Sequence, residues 1–343
     1  LSQQILDDVK DYYGQILKTN EDLKTSACCP LDAPPPHVQT LLKNVHETVQ
    51  AKFYGCGSPL PLAAEGCTVL DLGCGSGRDA YILSQMVGET GRVIGVDMTD
   101  EQLSVANQYV DWHMNKFGYN KPNIEFVKGY IEDLQTAGIK SNSVDIVISN
   151  CVINLSPNKE SVFREIYRVL KPGGELFFSD VFSGRRIPKD LQNDKILLGE
   201  CLGGAMYTED FRRIMTTIGI PDTRITSKRQ LTLDDPDVQK KAGMIDFYSM
   251  TVRAFKVDLE DICEDYGHVA YYKGTIIGSP HSFTLDDHHE FKTGMPVLVC
   301  GNTANMLSQT RFKDHFRIDG DFSNHYGTFD CAPSITTDTG ACC

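Results

Sequence analysis

Three things are scarce in this sequence, and each scarcity excludes something. No apolar run among its 343 residues approaches the ~20 residues of a membrane-spanning helix. Positive charge is in deficit, with 33 lysines and arginines against 46 carboxylates and a net charge of −13. Binding to phosphate backbones is therefore disfavoured, and no basic stripe longer than paired lysines and arginines offsets it. Histidine is missing between His113 and His268, which limits the bases available to any active site there. The polar N-terminus has no signal-peptide core. We expect a cytoplasmic monomer with no nucleic-acid or membrane partner. Neither an internal repeat nor a low-complexity tract is present.

Cysteine, by contrast, is plentiful at twelve residues. In a chain whose thiols are kept reduced, such a count points to metal binding or catalysis before disulfide staples. Cys28-Cys29 and Cys342-Cys343 are vicinal pairs, a spacing that strains an internal disulfide but suits a soft ion. Hydrophobic content of 41% and charged content of 23% are those of a soluble globular protein with room for two domains.

Three regions differ in texture. Residues 1–50 read as helical segments around the Pro-rich break Asp32–Pro36. From Thr68, strands alternate with helices: Thr68–Leu72, Arg92–Asp97, Ile124–Lys128, Val144–Asn150 and Glu175–Asp180 are the strands. Helices are expected over Asp79–Val87 and Lys159–Leu170, with Ser156-Pro157 as the start of the second. A third begins at the capping box Thr99-Asp-Glu-Gln102 and carries Leu103, Ala106, Val110, Met114 and Phe117 on one face. Such alternation predicts an α/β fold with a doubly wound parallel sheet over residues 51–226. Residues 227–343 read as a smaller C-terminal α+β domain of hairpins.

The strand Val69–Leu72 runs into Gly73-Cys-Gly-Ser-Gly77. Glycines here let a backbone approach a ligand at a helix N-terminus. A dinucleotide fingerprint places glycine where this chain has Arg78, which argues against NAD. With Asp71 just before it, the loop is instead similar to the first motif of S-adenosylmethionine methyltransferases. Asp97 ends the second strand, where a carboxylate takes ribose hydroxyls in this architecture. Met98 is set to lie against the adenine. Leu170-Lys-Pro-Gly-Gly174 resembles the motif that follows a helix in the same enzymes. The expected architecture is thus a Rossmann-like class I methyltransferase domain.

Cys151 follows the fourth strand, Cys56 lies in the glycine-flanked Phe53–Gly57, and Cys201 sits in Leu198–Tyr207 after the fifth strand. Each alone fits a packing role, since cysteine is among the most buried side chains. All three on loops of one sheet end suggest a site. An amine or hydroxyl acceptor needs a base of near-neutral pKa, commonly histidine or a carboxylate. Thiolates instead bind soft ions, and a soft centre with its own lone pair, such as trivalent arsenic, needs no base.

At this point the resemblance is specific. Asp71–Asp79, Gly129–Glu132, Ser149–Leu155, Arg168–Asp180 and Gly199–Ala205 resemble the arsenite S-adenosylmethionine methyltransferase family. The resemblance runs from the N-terminal helices to about residue 220 and continues weakly beyond. It implies that Cys56, Cys151 and Cys201 coordinate As(III). It further implies that an N-terminal cysteine, Cys28 or its neighbour Cys29, reduces arsenic or relays disulfides; spacing to Cys56 favours Cys28. By the same match, Tyr54, Asp71, Gly73, Gly75, Asp97, Met98, Ile131, Glu132 and Asn150 line the S-adenosylmethionine pocket. Arsenite and methylated arsenicals are the implied substrates, with a thiol reductant such as glutathione or thioredoxin as partner.

Two other readings stay open on the residues. A methyltransferase for a small organic acceptor would not depend on Cys56 or Cys201. A non-catalytic thiol metalloid-binding protein would not bind S-adenosylmethionine. Cys67, Cys263, Cys300 and Cys331 read as structural, and His281, His288 and His289 as solvated.

Overall fold

Strand β1 (Thr68–Leu72) begins a parallel run continued by β2 (Arg92–Asp97), β3 (Ile124–Lys128), β4 (Val144–Asn150) and β5 (Leu170–Ser183). The computed structural model describes residues 6, 9, 10, 36–53, 55, 57–192, 194, 197, 201–233 and 235–331. The strand order is β3-β2-β1-β4-β5, every neighbouring pair parallel. It reverses between β1 and β4, and open α/β sheets receive ligands beyond the carboxyl ends of their strands at such a switch point.

Helices on both faces explain why the central strands are apolar throughout. Leu70, Leu72 and Val147 pack on one face against Phe163 and Ile166 of helix Lys159–Val169 and Phe211 and Met215 of helix Thr208–Ile218. Val69, Ile146 and Ile148 pack on the other, against Tyr81 and Ile82 of helix Arg78–Val87 and Met114 of helix Val110–Phe117.

Local chemistry shifts two expected helix starts. The capping box at Thr99 does not form, and Thr99 makes no side-chain cap bond. Its backbone N–H turns back instead and donates to Asp97 Oδ1 at 2.8 Å. The expected single helix there is two, Asp100–Gln108 and Val110–Phe117, broken at Tyr109 (φ −106°, ψ 10°). The helix expected from Ser156-Pro157 is capped by Asn158, whose side chain accepts from Ser161 N–H at 3.1 Å. Ser156 instead ends a short 3-10 turn, Ile153–Leu155, and its hydroxyl donates to Glu132.

The sheet also runs past residue 226. β6 (Met206–Tyr207) pairs with β5, while β7 (Thr223–Gln230) and β8 (Phe247–Phe255) extend the sheet antiparallel beyond β5. A boundary at 226 would cut β7. The remaining strands make three small sheets. They are β9 (Glu264–Asp265), β10 (His268–Tyr272), β11 (Ser282–Thr284), β12 (Glu290–Lys292), β13 (Pro296–Val299), β14 (Phe316–Asp319) and β15 (Gly327–Thr328).

This C-terminal unit has its own core of Tyr272, Phe283, Phe291, Phe312 and Phe316, shared with Phe255 at the end of β8. Buried ion pairs fasten it to the sheet. Glu175 of β5 lies between Arg253 of β8, at 2.7 Å, and Arg311 of the C-terminal unit. Arg224 of β7 reaches Asp286 at 2.9 Å. His289 is buried against the same Asp286, with Nδ1 at 2.8 Å, so the expectation of a solvated ring fails there; His281 and His288 are exposed. No helix among the described residues is long and apolar enough to cross a membrane.

Candidate active site

The turn after β1 is built from left-handed glycines. Gly73 has φ +66° and Gly75 φ +52°, a region that L side chains avoid. Gly73 and Cys74 donate backbone N–H groups to Val96 of β2 at 2.7 and 3.1 Å. A Cβ on Gly73 would meet Val152 at 2.4 Å, whereas one on Gly75 would meet nothing nearer than Gln102 at 3.9 Å. The loop is thus packed against β2 and open toward a cleft of about 970 Å³.

Asp71, Gly73, Gly75, Asp97, Met98, Ile131, Glu132 and Asn150 all border that cleft. Tyr54 lies outside the described residues. Asp97 accepts from Gly75 N–H at 2.9 Å and from Thr99 N–H at 2.8 Å. Asn150 donates to Asp79 at 2.9 Å. Three carboxylates, Asp71, Asp79 and Asp97, crowd the cleft, with Arg78 paired to Asp79 at 2.9 Å. Burial pushes the Asp71 carboxyl well above its usual range, and the charges of Asp79 and Asp97 push it further. Burial raises Asp97 as well, against the hydrogen bonds that lower it. Such a cleft favours a cationic ligand.

Cys151 borders the cleft too. Its backbone N–H donates to Ser179 O at 2.8 Å, and its carbonyl accepts the Cys201 thiol at 3.3 Å. The 3-10 turn that follows Cys151 and the segment after Cys201 touch closely: a Cβ on Gly204 would stand 1.9 Å from Asn154 O. Cys151 and Cys201 both have left-handed backbones, at φ +59° and +63°. Only Ala63 and Asn142 share that conformation among the described non-glycine residues. Strain of this kind, on the order of 1–3 kcal/mol, gathers at functional sites.

Cys56 and Cys28 lie outside the described residues, as does Cys29. The chain on each side of Cys56 is anchored at this same end of the sheet. A Cβ on Gly55 would meet Asn150 Nδ2 at 2.5 Å, and one on Gly57 would meet Ser179 Oγ at 2.4 Å. Gly57 also exchanges hydrogen bonds with the Asn150 amide, at 3.2 and 2.9 Å. Cys151 is disulfide-bonded.

The sequence matches a methyltransferase domain over residues 63–219 and an arsenite methyltransferase C-terminal domain over residues 266–339. An arsenite methyltransferase of Aquipseudomonas alcaligenes is 50% identical over 97% of this chain and 96% of its own length. The human arsenite methyltransferase is 44% identical over 92% of this chain and 84% of its own. The chain belongs to the arsenite methyltransferase family. A solved structure of an arsenic(III) S-adenosylmethionine methyltransferase from Chlamydomonas reinhardtii superposes with a TM-score of 0.84. It is 50% identical and covers 87% of this chain and 100% of its own.

For a member of that family, one neighbour of the thiols went unread in the sequence. Asp180, counted only as the end of a strand, is fully buried with its carboxylate within 4.8 Å of the Cys151 and Cys201 sulfurs. Burial pushes its carboxyl up to about 7, although Val181 and Asn154 N–H groups bond to it. Lys159 stands close by, and burial brings its ammonium down to about 8. The sequence signal for Asp180 was its place at a strand's carboxyl end, which marks a side chain facing the ligand side of the sheet.

Proposed function

We propose that this chain transfers methyl groups from S-adenosylmethionine to trivalent arsenic held by the thiolates of Cys56, Cys151 and Cys201. The observation that carries the reading is the position of Cys151, on the wall of the cofactor cleft and bonded to the Cys201 thiol through its carbonyl. Asp71, Gly73, Gly75, Asp97, Met98, Ile131, Glu132 and Asn150 hold the cofactor, with Tyr54 as a further contact. The fit rests on the open face of Gly75 and on the crowded carboxylates, which a cationic sulfonium compound relieves. When bound, the cofactor supplies an electrophilic methyl group.

The protein's part is to position the acceptor. Three thiols displace the three hydroxyls of arsenite as water and leave its lone pair exposed. Asp180, ionising near neutrality, takes a proton from a neighbouring thiol and returns it to departing hydroxide. No further base is needed. Methylation formally oxidises arsenic by two electrons, and two cysteine thiolates closing to a disulfide return them. Cys28, or Cys29, supplies the second thiol of that exchange. A thiol reductant, glutathione or thioredoxin, then reopens the disulfide. Methylated arsenicals re-enter as substrates. Incubation with arsenite, reductant and a labelled methyl donor tests the reading: label should appear in methylated arsenic, and labelled organic products alone would refute it.

A further inference from the structure

The C-terminal unit gathers three cysteines that methyl transfer does not use. Cys263 precedes β9 and Cys331 follows β15. The antiparallel pairing of those strands, Glu264 opposite Thr328, draws the two together, and Phe329 N–H closes the ladder onto Cys263 O at 2.8 Å. Cys300 caps the helix Gly301–Ser308, where its sulfur accepts from Thr303 N–H at 3.4 Å. The three sulfurs lie within 4.8 Å of one another. All three are free thiols.

Packing accounts for Cys300, which is fully buried, but not for the other two. Cys263 and Cys331 are only partly buried, and none of the three joins the aromatic core of this unit. Charge around them favours one thiolate. The Arg224 guanidinium is 3.8 Å from Cys300 Sγ. Hydrogen bonds from Cys263, Cys331 and Thr303 hold Cys300 far below the usual thiol range, and the same bonding lifts Cys263 to about 11.

Among the described residues, no histidine, aspartate or glutamate joins the three sulfurs within that radius. His268 has a buried Nδ1 without a hydrogen-bond partner and feels the charge of Cys300, yet it lies outside the cluster. Structural zinc takes four ligands in a closed tetrahedron. Three converging thiols suit a three-coordinate thiophilic centre. We infer that Cys263, Cys300 and Cys331 form a second binding site that takes trivalent arsenic as a tris-thiolate, apart from the catalytic cysteines. The ligand comes from the arsenite reading, but the residues do not, so the two fail separately. Loading consumes As(OH)₃, two thiols, one thiolate and one proton and releases three waters. Arsenic stays trivalent and no electrons move. The partly exposed Cys263 and Cys331 open the site to solvent.

The test uses the full chain, reduced and without methyl donor, carrying Cys151→Ser, Cys342→Ser and Cys343→Ser to silence other thiol sites. Arsenic retained after arsenite loading and gel filtration is counted by mass spectrometry. Adding Cys263→Ser and Cys331→Ser should remove about one equivalent of arsenic, and X-ray absorption of the parent should show three sulfur neighbours for it. The same two substitutions in the otherwise unchanged enzyme should leave the arsenite methylation rate within about twofold. Unchanged arsenic content would overturn the inference. So would zinc held stoichiometrically at these cysteines, with a nitrogen among its ligands. If the double variant does not fold, Cys263→Ala alone, at a partly exposed sulfur, should show the same loss. Full methylation by Cys151→Ser would sink the catalytic assignment and leave this count untouched.

Discussion

The Cys201 thiol donates to the carbonyl oxygen of Cys151 at 3.3 Å, and both residues hold left-handed backbones. The contact ties the loop after β5 to the end of β4 and sets two sulfurs beside one buried carboxylate. Glycine tolerates φ +63° where alanine does not. Cys201→Gly should therefore be more stable than Cys201→Ala by about 1 kcal/mol in urea melts. Both should lose arsenite methylation. Equal melting of the two would mean that the strain is relieved elsewhere.

Asp180 makes stability depend on pH. Its folded pKa of about 7 lies above the ordinary 3.8, so the folded state binds the proton more tightly. The stabilisation is complete below about 4 and is lost as pH rises through about 7. Between pH 5 and 8 the wild-type chain should lose on the order of 2 kcal/mol through this group. Asp180→Asn should flatten that slope in denaturant titrations at the two pH values. An unchanged slope would place the titration on another residue.

Asp97 holds the glycine loop through Gly75 N–H and faces the cleft. Losing a hydrogen bond to a charged group costs roughly 1.5–3 kcal/mol, so Asp97→Ala should weaken S-adenosylmethionine about 10- to 100-fold by calorimetry. Wild-type affinity in this variant would remove Asp97 from the cofactor site.

Glu175 neutralises two guanidinium groups, Arg253 and Arg311, where the C-terminal unit meets the sheet. Glu175→Gln leaves those charges buried without a counter-charge and should cost roughly 3–5 kcal/mol. Thermal unfolding measures it, and a change within error would show that water reaches the pair.

Much of this was legible in the sequence, for identifiable reasons. Val144–Ile148 reads as a buried strand because both its faces are covered by helices, and the glycine loop reads because its φ values exclude other residues. Convergence was harder to see. β7 is a polar edge strand whose partner β8 lies beyond a helix, so the sequence changes texture near residue 226 although the sheet continues. Asp180 reads as an ordinary strand end, because tertiary contacts, the packing of Gly204 against Asn154 and the Cys201 bond to Cys151, carry Cys201 to its side. Cys263, Cys300 and Cys331 are too far apart in sequence to show any ligand spacing; strand pairing joins Cys263 to Cys331, and the cap of helix Gly301–Ser308 brings in Cys300.

In the proposed reaction the Cys151 thiolate holds arsenic beside the cofactor without binding the cofactor itself. The most direct measurement compares Cys151→Ser with wild type for labelled methyl transfer to arsenite, alongside calorimetric binding of S-adenosylmethionine. Methylation should fall by at least about 100-fold while cofactor affinity stays within about twofold. Full methylation activity in the serine variant would contradict the account.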